Sequence, residues 1–184
     1  MMRMLLKEEE IEEFLRWNSV ENNTTRFDGI VDVDGGVDLR DFNGSAIPVQ
    51  FGNVTGNFEC PRLSLTSLKG CPQLVEGNFV CYSSSITSLE YAPQFVGGYF
   101  NCYLTKITSF HDIHKQINHI SNEFYCGGDV THLLGLLLIN GINRFVIDDG
   151  GPIDKIFNKY VGTSDILSAQ DELIDAGFID QARL

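Results

Sequence analysis

The chain is predicted to fold as an α+β solenoid, with about five short coils stacked into a parallel β-sheet between an N-terminal helix and a C-terminal helical segment. Three observations predict it. A phrase recurs every twenty-one residues through the middle of the 184-residue chain, apolar and small residues alternate within the phrase, and apolar-faced segments flank it. A fixed period of this length marks a coil too small to bury its own apolar face, so neighbouring coils must cover one another.

The phrase Val54-Thr55-Gly56-Asn57-Phe58-Glu59-Cys60 returns as Val75-Glu76-Gly77-Asn78-Phe79-Val80-Cys81 and as Val96-Gly97-Gly98-Tyr99-Phe100-Asn101-Cys102. Between copies runs a second phrase, Leu65-Thr66-Ser67-Leu68, then Ile86-Thr87-Ser88-Leu89, then Ile107-Thr108-Ser109-Phe110. Cys71-Pro72 and Ala92-Pro93 follow the first two. One period upstream, Val33 to Leu39 fits the frame with leucine in the cysteine slot, and downstream Ile120 to Cys126 fits after a three-residue insertion. Period-2 alternation describes a strand with one buried face. The expected inward ladders are Val33/Val54/Val75/Val96/Ile120, Val37/Phe58/Phe79/Phe100/Phe124 and Leu39/Cys60/Cys81/Cys102/Cys126. Glycine between the first two suits close backbone approach or a bulge.

Upstream, Leu5 to Trp17 places apolar residues at 5, 6, 11, 14, 15 and 17 with acids between them, an amphipathic helix able to cover the first coil. Asn22-Asn23-Thr24-Thr25 reads as loop. Beyond Gly127-Gly128, the densely apolar Val130 to Ile139 reads as a buried helix closing the other end. Asp148 to Pro152 is a turn, Ile153 to Tyr160 a short helix, and Thr163 to Gly177 a capped helix. The organisation is therefore residues 1–29 as N-terminal helical cap and loop, 30–127 as repeats, and 128–184 as C-terminal helical cap.

The sequence of aromatic-x-Cys, hydrophobic-Thr-Ser-Leu, Cys/Ala-Pro and Val-x-Gly resembles the short leucine-rich-like repeats of tailed-bacteriophage proteins. Ala169 to Phe178 also looks like the helical tail that follows such repeats. The resemblance covers roughly residues 30 to 184. It implies architecture more than activity, and it implies a phage-encoded protein whose partner is a host or phage protein. The slot three after the cysteine, often asparagine in that family, holds Leu63, Ser84 and Thr105, so no asparagine ladder is expected there.

The net charge of −12 is uneven: −6 over residues 1–51, −1 over 52–127 and −5 over 128–184. A nucleic-acid backbone binder needs a basic stripe, which this distribution lacks. It permits a basic protein partner or mimicry of nucleic acid, beside the commoner reading of solvated helix faces. No run of eighteen apolar residues and no signal-peptide hydrophobic region occurs, so a soluble, cytoplasmic chain without membrane contact is expected. Four of the five cysteines share one repeat slot, which reads as a ladder of reduced core thiols. Four ligands in a straight row cannot close a zinc tetrahedron.

Asp32-Val33-Asp34-Gly35 looks superficially like the opening of haloacid-dehalogenase phosphatases, but the repeat frame explains the same residues and no βαβ alternation follows. With Asp38 these acids also suggest a calcium loop, without its bidentate glutamate. His111 and His114, with His119 and His132, form the only histidine cluster. No Walker loop or nucleophile elbow occurs. The expectation is a non-enzyme without cofactor or metal.

Outward strand positions carry the better site argument. Asn57, Glu59, Asn78, Tyr82, Tyr99, Asn101, Tyr103 and Tyr125 would share one surface, with tyrosines gathered toward the later coils. Tyrosine offers large contact area at low entropic cost, although its β propensity alone also places it on sheets. The leading expectation is a non-catalytic protein-interaction module that inhibits or redirects its partner, in host takeover or counter-defence, and that self-associates if a sheet edge is left open. The alternatives are a small-ligand or nucleotide-sequestering protein with a pocket near Tyr125, His132 and Arg144, and a hydrolase using Asp32/Asp34 or His111/His114.

Overall fold

The computed structural model describes residues 8–62, 64–127, 129–163 and 165–184. The expected positions of Leu5, Leu6, Leu63 and Gly128 lie outside them. In chain order the elements are helix α1 (Glu8–Trp17), β1 (Asn23–Thr25), β2 (Ile30–Val33), β3 (Val37–Asp38), β4 (Gln50–Val54) and β5 (Phe58–Glu59). Then come β6 (Leu74–Val75), β7 (Phe79–Val80), β8 (Phe95–Val96), β9 (Phe100–Asn101), β10 (His119–Ile120) and β11 (Glu123–Tyr125). Strand β12 (Arg144–Val146), α2 (Pro152–Tyr160) and α3 (Ile166–Asp175) complete the chain.

These elements build a β-solenoid with an N-terminal helix and C-terminal helices. Each repeat phrase contributes two strands to two sheets, where one continuous strand was expected. The first sheet runs β1-β2-β4-β6-β8-β10, and the second runs β3-β5-β7-β9-β11-β12. All pairs are parallel except β1 with β2, so Asn23 to Thr25 is an antiparallel edge strand where a loop was expected. The corner between the sheets falls at the repeat glycine. A β-carbon on Gly56 would stand 2.7 Å from the backbone of Gly35, and one on Gly77 2.7 Å from that of Gly56. Stacked corners therefore approach too closely for any side chain.

The corner also carries an asparagine ladder in a slot other than the one set aside for it. Asn57 Oδ1 accepts from the amide of Asn78 at 2.9 Å, and Asn78 Oδ1 accepts from the amide of Tyr99 at 3.0 Å. Each side chain thus satisfies a backbone donor that the bend removes from the ladder. In the other slot, the hydroxyls of Ser84 and Thr105 donate to the carbonyls of Cys81 and Cys102 at 2.7 and 2.9 Å, within their own coils.

All fifteen predicted ladder residues point inward, none more than 2% exposed. The return phrases complete the core from the opposite side with Leu65, Leu68, Ile86, Leu89, Ile107 and Phe110. They turn at left-handed residues that repeat with the coil: Arg62, Ser83 and Leu104 (φ 56, 56 and 54°), then Gly70, Tyr91 and Asp112 (φ 99, 69 and 58°).

The two ends close differently. Helix α1 lays Phe14 against Phe42 and Phe51, with ring centroids 5.5 and 6.4 Å apart. At the far end the apolar run forms a short 3-10 helix, Leu134–Leu138, in place of a full helix. The chain then makes a sixth rung of the second sheet. Phe145 pairs in register with Phe124, twenty-one residues earlier, and Phe145 and Ile147 extend the inward ladders. Helix α2 ends that sheet: Asn158 Oδ1 accepts from the Phe145 amide and its Nδ2 donates to the Phe145 carbonyl, both at 2.8 Å. One turn earlier, Asp154 accepts from the amides of Ile147 (2.5 Å) and Gly150 (2.6 Å). Asp148 answers by accepting from the amides of Ile153 and Asp154, both at 2.9 Å, at the start of α2.

Candidate functional site: the outer face of the second sheet

Register fixes what this face presents. Across β3, β5, β7, β9, β11 and β12 one outward column reads Asp38, Glu59, Val80, Asn101, Tyr125, Val146. The column before it ends in Tyr99, Glu123 and Arg144, and the column after it carries Arg40, Pro61, Tyr82 and Tyr103. Asn57 is exposed, and Glu59, Asn78, Tyr82, Tyr99, Asn101, Tyr103 and Tyr125 are half-buried. The structure therefore brings all eight sequence-predicted residues onto one face. Val80 is outward by register yet only 5% exposed. Glu59 and Asn101 flank it in its own column.

The tyrosines have defined partners. Tyr99 and Tyr125 meet edge to face, with ring centroids 5.7 Å apart. The guanidinium of Arg62 lies 5.5 Å from the ring centroid of Tyr82, within cation–π range. The Tyr103 hydroxyl donates to Asp149 Oδ2 at 3.4 Å, and the Tyr103 amide donates to Asn101 Oδ1 at 3.0 Å. Burial, and then the carboxylates of Glu59 and Glu123 with the neighbouring tyrosines, push the Tyr99 phenol above its ordinary value. The charge of Asp149 does the same to Tyr103. At the N-terminal end, Gly36, Val37, Asp38, Gly56, Asn57 and Glu59 line a shallow hollow of about 460 Å³. Arg40 clasps Asp38 with two guanidinium nitrogens and stands 3.8 Å from Glu59, holding the Asp38 carboxyl below the usual range.

Two contributors were not anticipated. Arg62 sits one place past the outward column of Pro61, Tyr82 and Tyr103, so the repeat frame contained the signal. Asp149 reaches Tyr103 from a turn forty-six residues away, and no periodicity reports that.

Of the other candidate groups, His114 buries its Nδ1 without a hydrogen-bond partner, and the rest are engaged elsewhere. Asp32 lies on the first sheet, bound by Arg26 at 2.5 and 2.7 Å and accepting from the Asn53 amide at 2.8 Å. Asp34 accepts from the Thr55 hydroxyl at 3.0 Å. His111 meets His132, with centroids 5.2 Å apart, rather than pairing with His114. His132 Nδ1 is within 3.1 Å of Ser109 Oγ and 2.9 Å of Thr131 Oγ1. His119 stacks on Phe95 at 4.9 Å. Tyr125 and Arg144 share the second sheet's outer face, while His132 is tied to the return segment and to the Asp180 carbonyl, 3.0 Å from its amide. Among the described residues no group of three or more His, Cys, Asp or Glu side chains is placed to hold a metal ion, and no helix is long and apolar enough to cross a membrane. Cys60, Cys71, Cys81, Cys102 and Cys126 are buried free thiols, and burial pushes Cys71, Cys81, Cys102 and Cys126 up.

Comparison with protein-family models, with curated proteins and with solved structures finds no match for this chain.

Proposed function

We propose that this protein is a non-catalytic binding module whose outer second-sheet face docks a protein partner. The observation that carries the reading is the gathering of four half-buried tyrosines along one sheet, Tyr125 within β11 and Tyr82, Tyr99 and Tyr103 next to the ends of β7 and β9, held by mutual, cationic and carboxylate contacts. Such tyrosines lose little entropy on binding, because neighbours already restrict their rotamers. The resemblance of the repeat phrases to phage repeat proteins extends the proposal to a phage-encoded chain that inhibits or redirects a host protein in the cytoplasm.

The test compares the native chain with Tyr82→Ala/Tyr103→Ala in affinity capture from bacterial lysate, both variants first checked for unchanged melting. One stoichiometric protein held by the native chain and lost from the double variant is the expected result. Equal retention by both would remove this face from the function.

A further inference from the structure

We infer that the partner presents a basic segment to this face, with a lysine or arginine side chain seated over Tyr99 and Tyr125 between Glu59 and Glu123; the inference rests on the protein-binding reading above. Three observations lead to that chemistry.

The first is geometric. Tyr99 and Glu123 are neighbours in one outward column and Tyr125 shares a strand with Glu123, so one carboxylate stands directly beside the edge-to-face tyrosine pair, while Glu59, in the Tyr125 column, stands two rungs before Tyr99 on the pair's other side. In an edge-to-face pair the ring that receives its neighbour's edge keeps its other, negative π-face for a further contact.

The second is that the face already uses the same contact internally. Arg62 covers Tyr82 at 5.5 Å, whereas among the described residues no cation covers Tyr99 or Tyr125. Arg40 is committed to Asp38 and reaches Glu59 only at 3.8 Å. Arg144 stands beside Glu123 in register, with no ion pair between them among the described residues. Glu59, which otherwise accepts from Asn57 Nδ2 at 3.5 Å, and Glu123 thus keep capacity for an incoming cation, and behind burial, the larger cause, both carboxylates raise the Tyr99 phenol.

The third is charge complementarity at longer range. The chain carries a net charge of −12, concentrated in its two flanks. That field draws a basic segment and repels an acidic one or a nucleic acid.

The experiment selects random displayed dodecapeptides on the full chain, then measures their affinities for the native protein, Glu59→Gln/Glu123→Gln and Tyr82→Ala/Tyr103→Ala. The expected peptides are enriched in lysine or arginine, bind about tenfold more weakly to the double glutamine variant, and weaken as salt rises from about 0.05 to about 0.5 M. Peptides that need Tyr82 and Tyr103 but carry no basic residue, or that ignore the glutamine changes, would overturn the cationic chemistry while leaving the docking face in place. Peptides indifferent to all four positions would overturn both. Glu123→Gln alone gives the same reading if the double variant does not fold.

Discussion

Phe58, Phe79, Phe100 and Phe124 stack at centroid separations of 5.8, 4.9 and 5.3 Å along the solenoid axis, so an interior ring touches a neighbour on each side. Each is completely buried. Truncating one removes its own buried surface and part of the contact surface of two others, and neighbouring coils cannot collapse without breaking their corner hydrogen bonds. Phe79→Ala is therefore expected to cost about 3–5 kcal/mol, at the upper end for large-to-small core changes. Urea unfolding of the variant checks this, and a loss below about 1 kcal/mol would contradict a continuous ring stack. The ladder was legible because inward residues keep one phase within the period. The interaction of Tyr103 with Asp149 was not, because it joins a repeat to an irregular turn.

An isolated sheet edge is a template for further pairing, and α2 removes it at the second sheet's C-terminal end. Asn158 presents an amide in the position that a seventh rung's peptide would occupy, receiving from the Phe145 N–H and donating to its carbonyl. The same Nδ2 also donates to the Asp154 carbonyl at 2.8 Å, which fixes the side chain to its own helix. Asn158→Ala leaves the Phe145 backbone groups without partners at the end of the core. The expected loss is about 1–3 kcal/mol, together with faster hydrogen exchange at the Phe145 amide. Unchanged protection of that amide would show that Asn158 does not close the edge. At the same scale, the splitting of each repeat phrase into two strands escaped the periodicity. Val75 and Phe79 keep a spacing of four whether or not the chain bends at Gly77, and burial on both sides of a corner preserves the alternation of one flat strand.

The thiol ladder gives the whole molecule a direction of pH dependence. Burial holds the Cys71, Cys81 and Cys126 thiols well above their ordinary value of 9.0, and Cys102 is raised as well. In the unfolded chain these thiols ionise near that ordinary value, whereas in the native protein they remain protonated. The unfolded state therefore releases protons first, and stability falls as pH rises above about 9 toward the folded values. Below that pH both states are protonated and the thiols add no slope. Tyr99 and Tyr103, raised from 10.0, contribute in the same direction at higher pH. Melting temperatures measured from pH 7 to 10.5 should be level at first and then decline, with less decline in Cys81→Ala. A melting temperature that held steady through pH 10.5 would contradict a buried, protonated ladder.

What the sequence by itself determined was what repeats: the solenoid class, the fifteen inward positions and the outward phase that alternates with them. These follow because a parallel stack repeats one local environment, and the residue types that satisfy it recur in phase. What only the tertiary structure decided was where that environment bends or ends. The two-sheet corner depends on backbone approach between coils at Gly56 and Gly77, the sixth rung at Arg144–Val146 depends on pairing with β11, and its closure depends on two side chains of a helix. Each of those contacts joins residues of different kinds across a break in the period, so no repetition within the chain could announce it.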